Sequence, residues 1–202
     1  MHAIITDGSI SKYINYPKSL VIGDVRYPAK IFQLWSASEL NAIGIYEVVF
    51  NNSNFKDEQW YINTNQSYAF ADNTVTASYG TATAKAHADT LWTAQDETDG
   101  KGTEGEVATR GLKYNLIQTL KQQVAGILSD TDWYITRNSE KSTAIPSSIS
   151  TYRDSVRTKQ ASMETAITNA SNTSALETLY TYTEQSDGSV TRPLGELPTL
   201  ES

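Results

Sequence analysis

Short apolar runs separated by turn-forming residues fill the first 93 residues, which is typical of a chain of β-strands. Ile4 and Ile5 precede Asp7-Gly8, a dipeptide that favours a tight turn, and the apolar run after it completes a predicted hairpin over residues 2–14. Further strand-like segments, the first of them with a turn at Gly23-Asp24, are predicted at residues 20–35, 45–50, 60–62, 68–70 and 75–79.

One short helix interrupts this strand pattern, because Ser36 and Glu39 have the spacing of a capping box and Gly44 follows as a stop signal. Residues 94–106 then consist mainly of Asp, Glu, Gly and Thr without apolar periodicity, which predicts a linker or an exposed loop. We therefore place a domain boundary there, after a small, mostly antiparallel β-rich domain over residues 1–93.

Apolar residues then recur at helical spacing, and a first amphipathic helix is predicted over residues 107–130. A second helix is predicted from Pro146, since a proline in the first turn loses no helical hydrogen bond. Its apolar stripe, at nearly heptad spacing, consists of Ile149, Tyr152, Val156, Met163 and Ile167. A third short helix after Ser174 completes a helical hairpin module over residues 107–180, so the predicted fold class is α+β.

The last segment, residues 181–202, carries Pro, Gly and Thr and is predicted to be an extended tail. Its apolar residues Leu194, Leu197 and Leu200 have no local core in the sequence pattern. We therefore expect the tail to lie across a neighbouring subunit and the Ile149–Ile167 stripe to pack against a partner. The chain is thus expected to act in an assembly, as a homo-oligomer and not as a lone monomer.

Composition and charge exclude several classes of partner. The formal net charge of -7 opposes binding to nucleic acid and to anionic membranes. The absence of cysteine removes disulfides, thiolate catalysis and Cys-based metal sites. No apolar run is long enough to span a membrane and no leader pattern is present, so we expect the protein to be made and kept in the cytosol unless a particle carries it out.

Two motifs could indicate chemistry, and neither has the context it needs. Gly100-Lys-Gly102-Thr-Glu-Gly105 matches a dinucleotide fingerprint, but an acidic segment stands where a buried strand is required and would repel a pyrophosphate. His87 has no partner that the sequence can place beside it, which favours an ordinary histidine near the surface. The sequence therefore predicts no catalytic residue, no cofactor and no metal site.

Four tryptophans and 12 tyrosines could line a glycan-binding surface, because each offers a flat apolar face and a polar edge. The same property suits a protein core or a subunit contact, which we favour. Glycan binding stays open as an alternative function.

Three segments of the helical module carry a resemblance to a known group of proteins. They are residues 129–140 (SDTDWYITRNSE), 144–149 (AIPSSI) and 152–157 (YRDSVR), preceded in the N-terminal half by residues 35–46 (WSASELNAIGIY). Together they resemble small tailed-bacteriophage proteins, namely tail-fibre-associated and tail-assembly chaperone-like proteins. The resemblance is good over residues 107–170.

This resemblance implies a non-enzymatic structural component of a phage virion, associated with the tail or tail fibre and assembled in the host cytoplasm with other phage structural proteins. An assembly chaperone that does not stay in the virion is the alternative. In the module, we expect Trp133 and Tyr134 to plug the junction of the two long helices, with Arg137–Glu140 or Arg153–Asp154 setting their angle. The candidate assembly residues are Trp133, Tyr134, Arg137, Ile149, Tyr152, Val156, Leu194 and Leu197.

Overall fold

The computed structural model describes residues 1–200, which form two compact units, Met1–Thr83 and the chain from Ala84 onward. Strands dominate the first unit and helices the second, which confirms the α+β class. The boundary lies at Thr83, so the predicted position at residues 94–106 is corrected. No helix among the described residues is long and apolar enough to cross a membrane.

The first unit, which we call the β unit, contains two short helices and a series of strands. Its elements are β1 (His2–Thr6), β2 (Ser9–Ile14), β3 (Leu20–Ile22), β4 (Val25–Tyr27), α1 (Ile31–Leu34), α2 (Ala37–Ala42), β5 (Ile45–Asn51), β6 (Tyr61–Ile62), β7 (Gln66–Ala71) and β8 (Thr74–Tyr79), with β9 (Thr83–Ala84) at the boundary. Asp7 and Gly8 have φ values of 52° and 75°, the left-handed conformation that the predicted hairpin turn requires.

Five strands form a curled sheet in the order β2-β1-β5-β8-β7, in which only β5 and β8 run parallel. The two edge strands approach each other, and the rings of Tyr13 in β2 and Tyr68 in β7 lie 4.9 Å apart. Because side chains alternate along a strand, Ala3 and Ile4 point to opposite faces. The face with Ile4 is covered by α1 and α2, and the other face encloses Ala3, Val48, Val75 and Ala77.

The strand-like segment predicted at residues 20–35 is shorter in the structure. Residues 20–27 form the β3–β4 hairpin around Gly23, as the turn signal predicts, but Ile31–Leu34 is the helix α1. The Pro28 carbonyl accepts a hydrogen bond from the Ile31 amide at 3.2 Å, so a helical turn begins directly after the proline. The capping box at Ser36 and Glu39 is confirmed and starts α2.

The second unit, the helical unit, has four principal helices and two small hairpins. Its elements are β10 (Thr90–Leu91), α3 (Ala94–Thr98), β11 (Val107–Thr109), α4 (Leu112–Ser129), α5 (Asp132–Lys141), α6 (Ser147–Asn169), α7 (Thr173–Tyr180), β12 (Thr183–Glu184) and β13 (Val190–Thr191). The start of α6 after Pro146 and the short helix α7 agree with the sequence pattern. The first helix, predicted over residues 107–130, begins only at Leu112, because Val107–Thr109 forms β11, and the sequence pattern did not predict α5.

Helices α4 and α6 pack against each other in antiparallel orientation. Lys113 near the start of α4 donates a hydrogen bond to the Thr168 carbonyl near the end of α6, at 2.7 Å. At the opposite end, Arg153 of α6 donates to the Leu128 carbonyl of α4 at 2.8 Å. The buried apolar residues of the unit are Leu120, Val124, Ile149, Val156, Met163, Ile167, Ala170, Leu176 and Leu194.

The backbone of residues 84–93 belongs to the helical unit because the ends of helices need hydrogen-bond partners. The carbonyls of Ala86 and His87 accept from the first amides of α4, those of Leu112 and Lys113, each at 3.0 Å. The Thr173 hydroxyl of α7 donates to the Lys85 carbonyl at 2.6 Å. These contacts move the boundary ten positions before the acidic segment where we had placed it.

The acidic segment is folded, so its interpretation as a linker is wrong, whereas most of its residues are exposed, as the alternative of an exposed loop predicts. It leaves strand β10, forms α3 and returns through β11, which pairs with β10. The Trp92 amide donates to the Glu106 carbonyl at 2.9 Å, and the Gly105 amide donates to the Trp92 carbonyl at 3.0 Å. A capping box between Thr93 and Asp96 starts α3. These local hydrogen bonds stabilise a helix whose sequence has no apolar periodicity.

The glycines that mimic a dinucleotide fingerprint have a packing role in this loop. A Cβ atom on Gly102 would lie 2.3 Å from Nε1 of the Trp92 indole, while Gly100 and Gly105 adopt φ values of 73° and 81°. We expect Gly102→Ala to lower the free energy of unfolding by about 1.5 kcal/mol, because the indole must shift away from the added methyl group. Urea unfolding measures this loss, and unchanged Trp92 fluorescence and stability would contradict the packing role.

The same loop has a pH dependence that can be measured. Hydrogen bonds from the Thr93 hydroxyl and the Lys101 ammonium lower the pKa of Asp96 from 3.8 to about 2. Because the folded form holds the carboxylate ionised, its contribution to stability is complete above pH 3.8 and is lost as the pH falls towards 2. We expect Asp96→Asn to reduce stability at pH 6 and to have a smaller effect near pH 2, as thermal melts at both pH values would show.

Candidate functional site

An aromatic surface on α5 is the most distinctive exposed feature of the helical unit. The rings of Trp133 and Tyr134 lie 3.8 Å apart, and the Arg137 guanidinium lies 4.7 Å from the Trp133 ring and 5.4 Å from the Tyr134 ring. Arg137 can reach both rings because residues three and four positions apart share one side of a helix. We call these three residues the α5 stack.

The expectation that Trp133 plugs the helix junction is wrong, since 51% of its surface is exposed. Tyr134 is partly buried. The expected Arg137–Glu140 ion pair does not form within the described residues, and Arg137 stacks on the two rings instead. A planar guanidinium stacked on aromatic faces keeps its charge. Arg137 and Tyr134 are partly buried, so the exposed part of the α5 stack consists mainly of the Trp133 ring, with part of Tyr134 and of Arg137 beside it.

The junction is filled by Arg153 of α6, which is only 7% exposed, and by Thr131, which is 2% exposed. The Arg153 guanidinium donates to the Thr131 hydroxyl at 2.6 Å and to the Leu128 carbonyl at 2.8 Å, and it forms an ion pair with Asp132 at 2.9 Å. This one side chain therefore holds the last turn of α4 and the first turn of α5 against α6.

Sequence reasoning named Arg153 for this place but gave it the wrong partner. Asp154 points away from the junction and pairs with Arg157 at 3.4 Å on the exposed side of α6. The real partners, Leu128, Thr131 and Asp132, lie on other helices, and no spacing rule within one helix relates them to Arg153. A lone arginine on the apolar stripe of α6, between Ile149 and Val156, is the signal that could have indicated it.

The other candidates on α6 divide between core and surface. Ile149 and Val156 are buried, whereas Tyr152 is partly exposed. Tyr152 lines an open groove of about 470 Å³, whose other lining residues are Ser147, Ser148, Thr151, Ser155, Pro198, Thr199 and Leu200. No charged side chain lines this groove, and the Ser155 hydroxyl is already bonded to the Tyr152 carbonyl at 2.7 Å.

The expectation that the tail has no local core is wrong for Leu194, which is buried to 3% exposure in its own unit. The Leu194 amide donates to the Leu179 carbonyl, and the Leu194 carbonyl accepts from the Lys159 ammonium, each at 3.0 Å. Leu197 is partly buried. Leu194 is therefore no longer a candidate for contact with a neighbouring subunit.

A clamp of two tyrosines and an ion pair holds the tail before and after Leu194. The Arg192 guanidinium lies between the rings of Tyr180 and Tyr182, at 5.5 and 5.1 Å, and pairs with Glu196 at 2.8 Å. The Tyr182 hydroxyl donates to Glu196 at 2.7 Å, and this bond raises the pKa of Tyr182. The clamp returns the chain onto α7 within the same unit.

Residues that could support chemistry near His87 are occupied by structural bonds. Asp89 accepts from the Gly111 amide at 2.8 Å and from Arg110 at 2.6 Å, and these two bonds lower the pKa of the Asp89 carboxyl. The carboxylate thus covers the start of α4, where an anion would otherwise bind. Among residues 1–200, no three His, Asp or Glu side chains gather closely enough to hold a metal ion.

Comparison with known proteins adds nothing to this geometry. No family model, no curated protein and no solved structure matches the chain.

Proposed function

We propose that this protein is a non-enzymatic structural component of a tailed-bacteriophage virion, associated with the tail or tail fibre, which assembles through protein–protein contacts made by the α5 stack. The phage assignment rests on the resemblance of residues 107–170 to small tailed-phage proteins. The contact surface rests on one observation, the half-exposed Trp133 ring stacked with Tyr134 and Arg137.

The chemistry of the α5 stack is that of a protein interface. Tryptophan, tyrosine and arginine are the side chains that most often dominate binding energy at such contacts. Tryptophan and tyrosine bury a large flat area with few rotatable bonds, and arginine adds a planar charged group that stacks on aromatic rings. An exposed tryptophan makes no contribution to the core that would explain its position. A protein partner that covers Trp133 would remove this apolar area from water.

Rigid support under the stack adds to the argument. Arg153 fixes the turn from Thr131 into α5 with two hydrogen bonds and one ion pair. A surface that is fixed before binding loses less conformational entropy when a partner docks. The buried Arg153 thus acts in folding, and the stacked Arg137 acts in recognition.

A particle-incorporation experiment tests the contact surface. We expect Trp133→Ala to reduce the amount of this protein in purified particles at least tenfold, because a central interface tryptophan commonly contributes more than about 2 kcal/mol. The matched control is Ile135→Ala, which removes another exposed apolar side chain from the same helix. Both variants should melt within about 2 °C of the wild type, since both side chains are more than one-third exposed.

Two results would contradict the proposal. Normal incorporation of Trp133→Ala would show that the α5 stack is not the contact. Absence of the wild-type protein from virions, with the protein abundant in the infected lysate and bound to tail proteins there, would favour the assembly-chaperone alternative. Mass spectrometry of purified virions and of lysate fractions measures both quantities.

A further inference from the structure

A small pocket in the β unit has a different chemistry from the α5 stack of the helical unit. It measures about 210 Å³, and it is lined by His2, Phe32, Trp35, Ala37, Leu40, Asn41 and Glu47. His2 and Glu47 are directly paired residues of the antiparallel strands β1 and β5, so their side chains point to the same face of the sheet. They form the floor of the pocket.

Helices α1 and α2 provide the walls, and several contacts fix them. The Phe32 ring lies 5.0 Å from the His2 ring, and the Trp35 ring is held edge-on against Tyr27 at 5.8 Å. Asn41, with its amide nitrogen towards the backbone, donates to the Ile45 and Ala37 carbonyls at 2.9 and 3.1 Å and ties α2 to β5. The aromatic walls are therefore formed before any ligand arrives.

Glu47 is the charged side chain among the residues that line this pocket. Glu47 makes no ion pair with any residue in the described part of the chain. Burial lowers the pKa of His2, and the Met1 amino group lowers it further while Glu47 opposes both, so the imidazole is neutral at pH 7. One carboxylate thus faces a space bounded by three aromatic rings.

We propose that this pocket binds an alkylammonium cation, the group shared by a lysine side chain of a protein partner and a free polyamine. The aromatic faces of Phe32 and Trp35 attract a cation through their ring quadrupoles, and the Glu47 carboxylate supplies the opposite charge. An anion would be repelled by Glu47. A neutral apolar ligand would gain nothing from the carboxylate, and the pocket is smaller than those that take drug-sized molecules.

Titration of the full-length ¹⁵N-labelled protein with n-butylammonium chloride tests the proposal by NMR at pH 7 and constant ionic strength. We expect saturable shifts of the Trp35 indole and of the Phe32 and Glu47 amides, with millimolar affinity. n-Butanol, which has the same chain without the charge, should cause no saturable shift at these positions. Equal binding of butanol would overturn the proposal, as would the absence of saturable shifts with the ammonium salt.

Variants separate the charge from the rings. Glu47→Gln, at an exposed position that can keep its fold, should weaken butylammonium binding about threefold to fivefold. Phe32→Leu should weaken it by a similar factor through loss of the ring face. The control Glu184→Gln removes an exposed carboxylate of the helical unit and should leave the affinity unchanged. Unchanged affinity in Glu47→Gln would overturn the proposal.

A second pair of probes identifies the source of the cation. A capped Ala-Lys-Ala peptide that binds more tightly than putrescine indicates a lysine side chain of a protein partner. Tighter binding of putrescine indicates a free polyamine, and both results support the ammonium site. If neither probe causes a saturable shift at Trp35 and Glu47, the assignment is wrong.

Discussion

Arg153→Met is expected to lower the free energy of unfolding of the helical unit by about 3 kcal/mol. The methionine keeps most of the apolar stem but leaves the Leu128 carbonyl and the Thr131 hydroxyl without the donor that they have at 2.8 and 2.6 Å. Both groups keep one partner, since the Thr131 hydroxyl also donates to the Leu128 carbonyl at 3.0 Å. The loss therefore comes from two hydrogen bonds to a charged donor, each worth about 1.5 to 3 kcal/mol, whereas the ion pair to the exposed Asp132 adds little. Urea unfolding followed by circular dichroism measures the loss.

The matched control is Arg157→Met, one turn later on the same helix. Arg157 is half exposed and its ion pair with Asp154 has a distance of 3.4 Å, so we expect a change of at most about 0.5 kcal/mol. A similar loss in both variants would mean that helix propensity or net charge, and not the junction, causes the effect. Arg153→Lys should recover only part of the loss, because an ammonium cannot reproduce the planar geometry of the guanidinium donors.

The junction also connects stability with the proposed assembly. Arg153 bonds to the first turn of α5. In a variant without Arg153, increasing urea should therefore disorder the α5 stack at a lower concentration than it unfolds the whole unit. We would then see the Trp133 environment change at a lower urea concentration than the helical signal. Trp133→Ala, in contrast, should change incorporation into particles without changing stability, so the two variants separate folding from recognition.

Local signals in the sequence predicted the elements that local physics determines. Asp7-Gly8 gave the first hairpin, Ser36 and Glu39 gave the start of α2, and Pro146 gave the start of α6. Each of these signals acts within a few residues, through a left-handed turn, a capping hydrogen bond or a missing amide proton. That range is why they could be read without a structure.

The features that sequence reasoning missed depend on partners distant in the chain. The Trp92 indole covers Gly102 across a loop, and the Lys85 carbonyl meets Thr173 of α7, so neither the folded acidic segment nor the boundary at Thr83 has a local signal. Trp133 was expected to plug the junction of the two long helices. Arg153 fills the junction instead, since its long side chain with several donors reaches both the end of α4 and the start of α5.

The leucines of the tail could serve either the core of the helical unit or a contact with another subunit. Leu197 and Leu200 keep some exposed surface, whereas Leu194 is buried and bonded on both sides of its peptide unit. Truncation after Thr181 would therefore remove part of the core of the helical unit together with any contact surface. A single substitution at Leu194 distinguishes the two roles more sharply than truncation does.

Leu194→Ala is expected to lower the free energy of unfolding by about 2 to 5 kcal/mol, because it leaves a cavity where the buried side chain packed. The control Leu200→Ala removes the same side chain from a position that is 45% exposed and should cost less than about 0.5 kcal/mol. Urea unfolding gives both values, and sedimentation of the folded fraction gives the oligomeric state. If Leu194→Ala kept wild-type stability but lost self-association, Leu194 would be buried against a neighbouring subunit, and its assignment to the core of its own unit would be wrong.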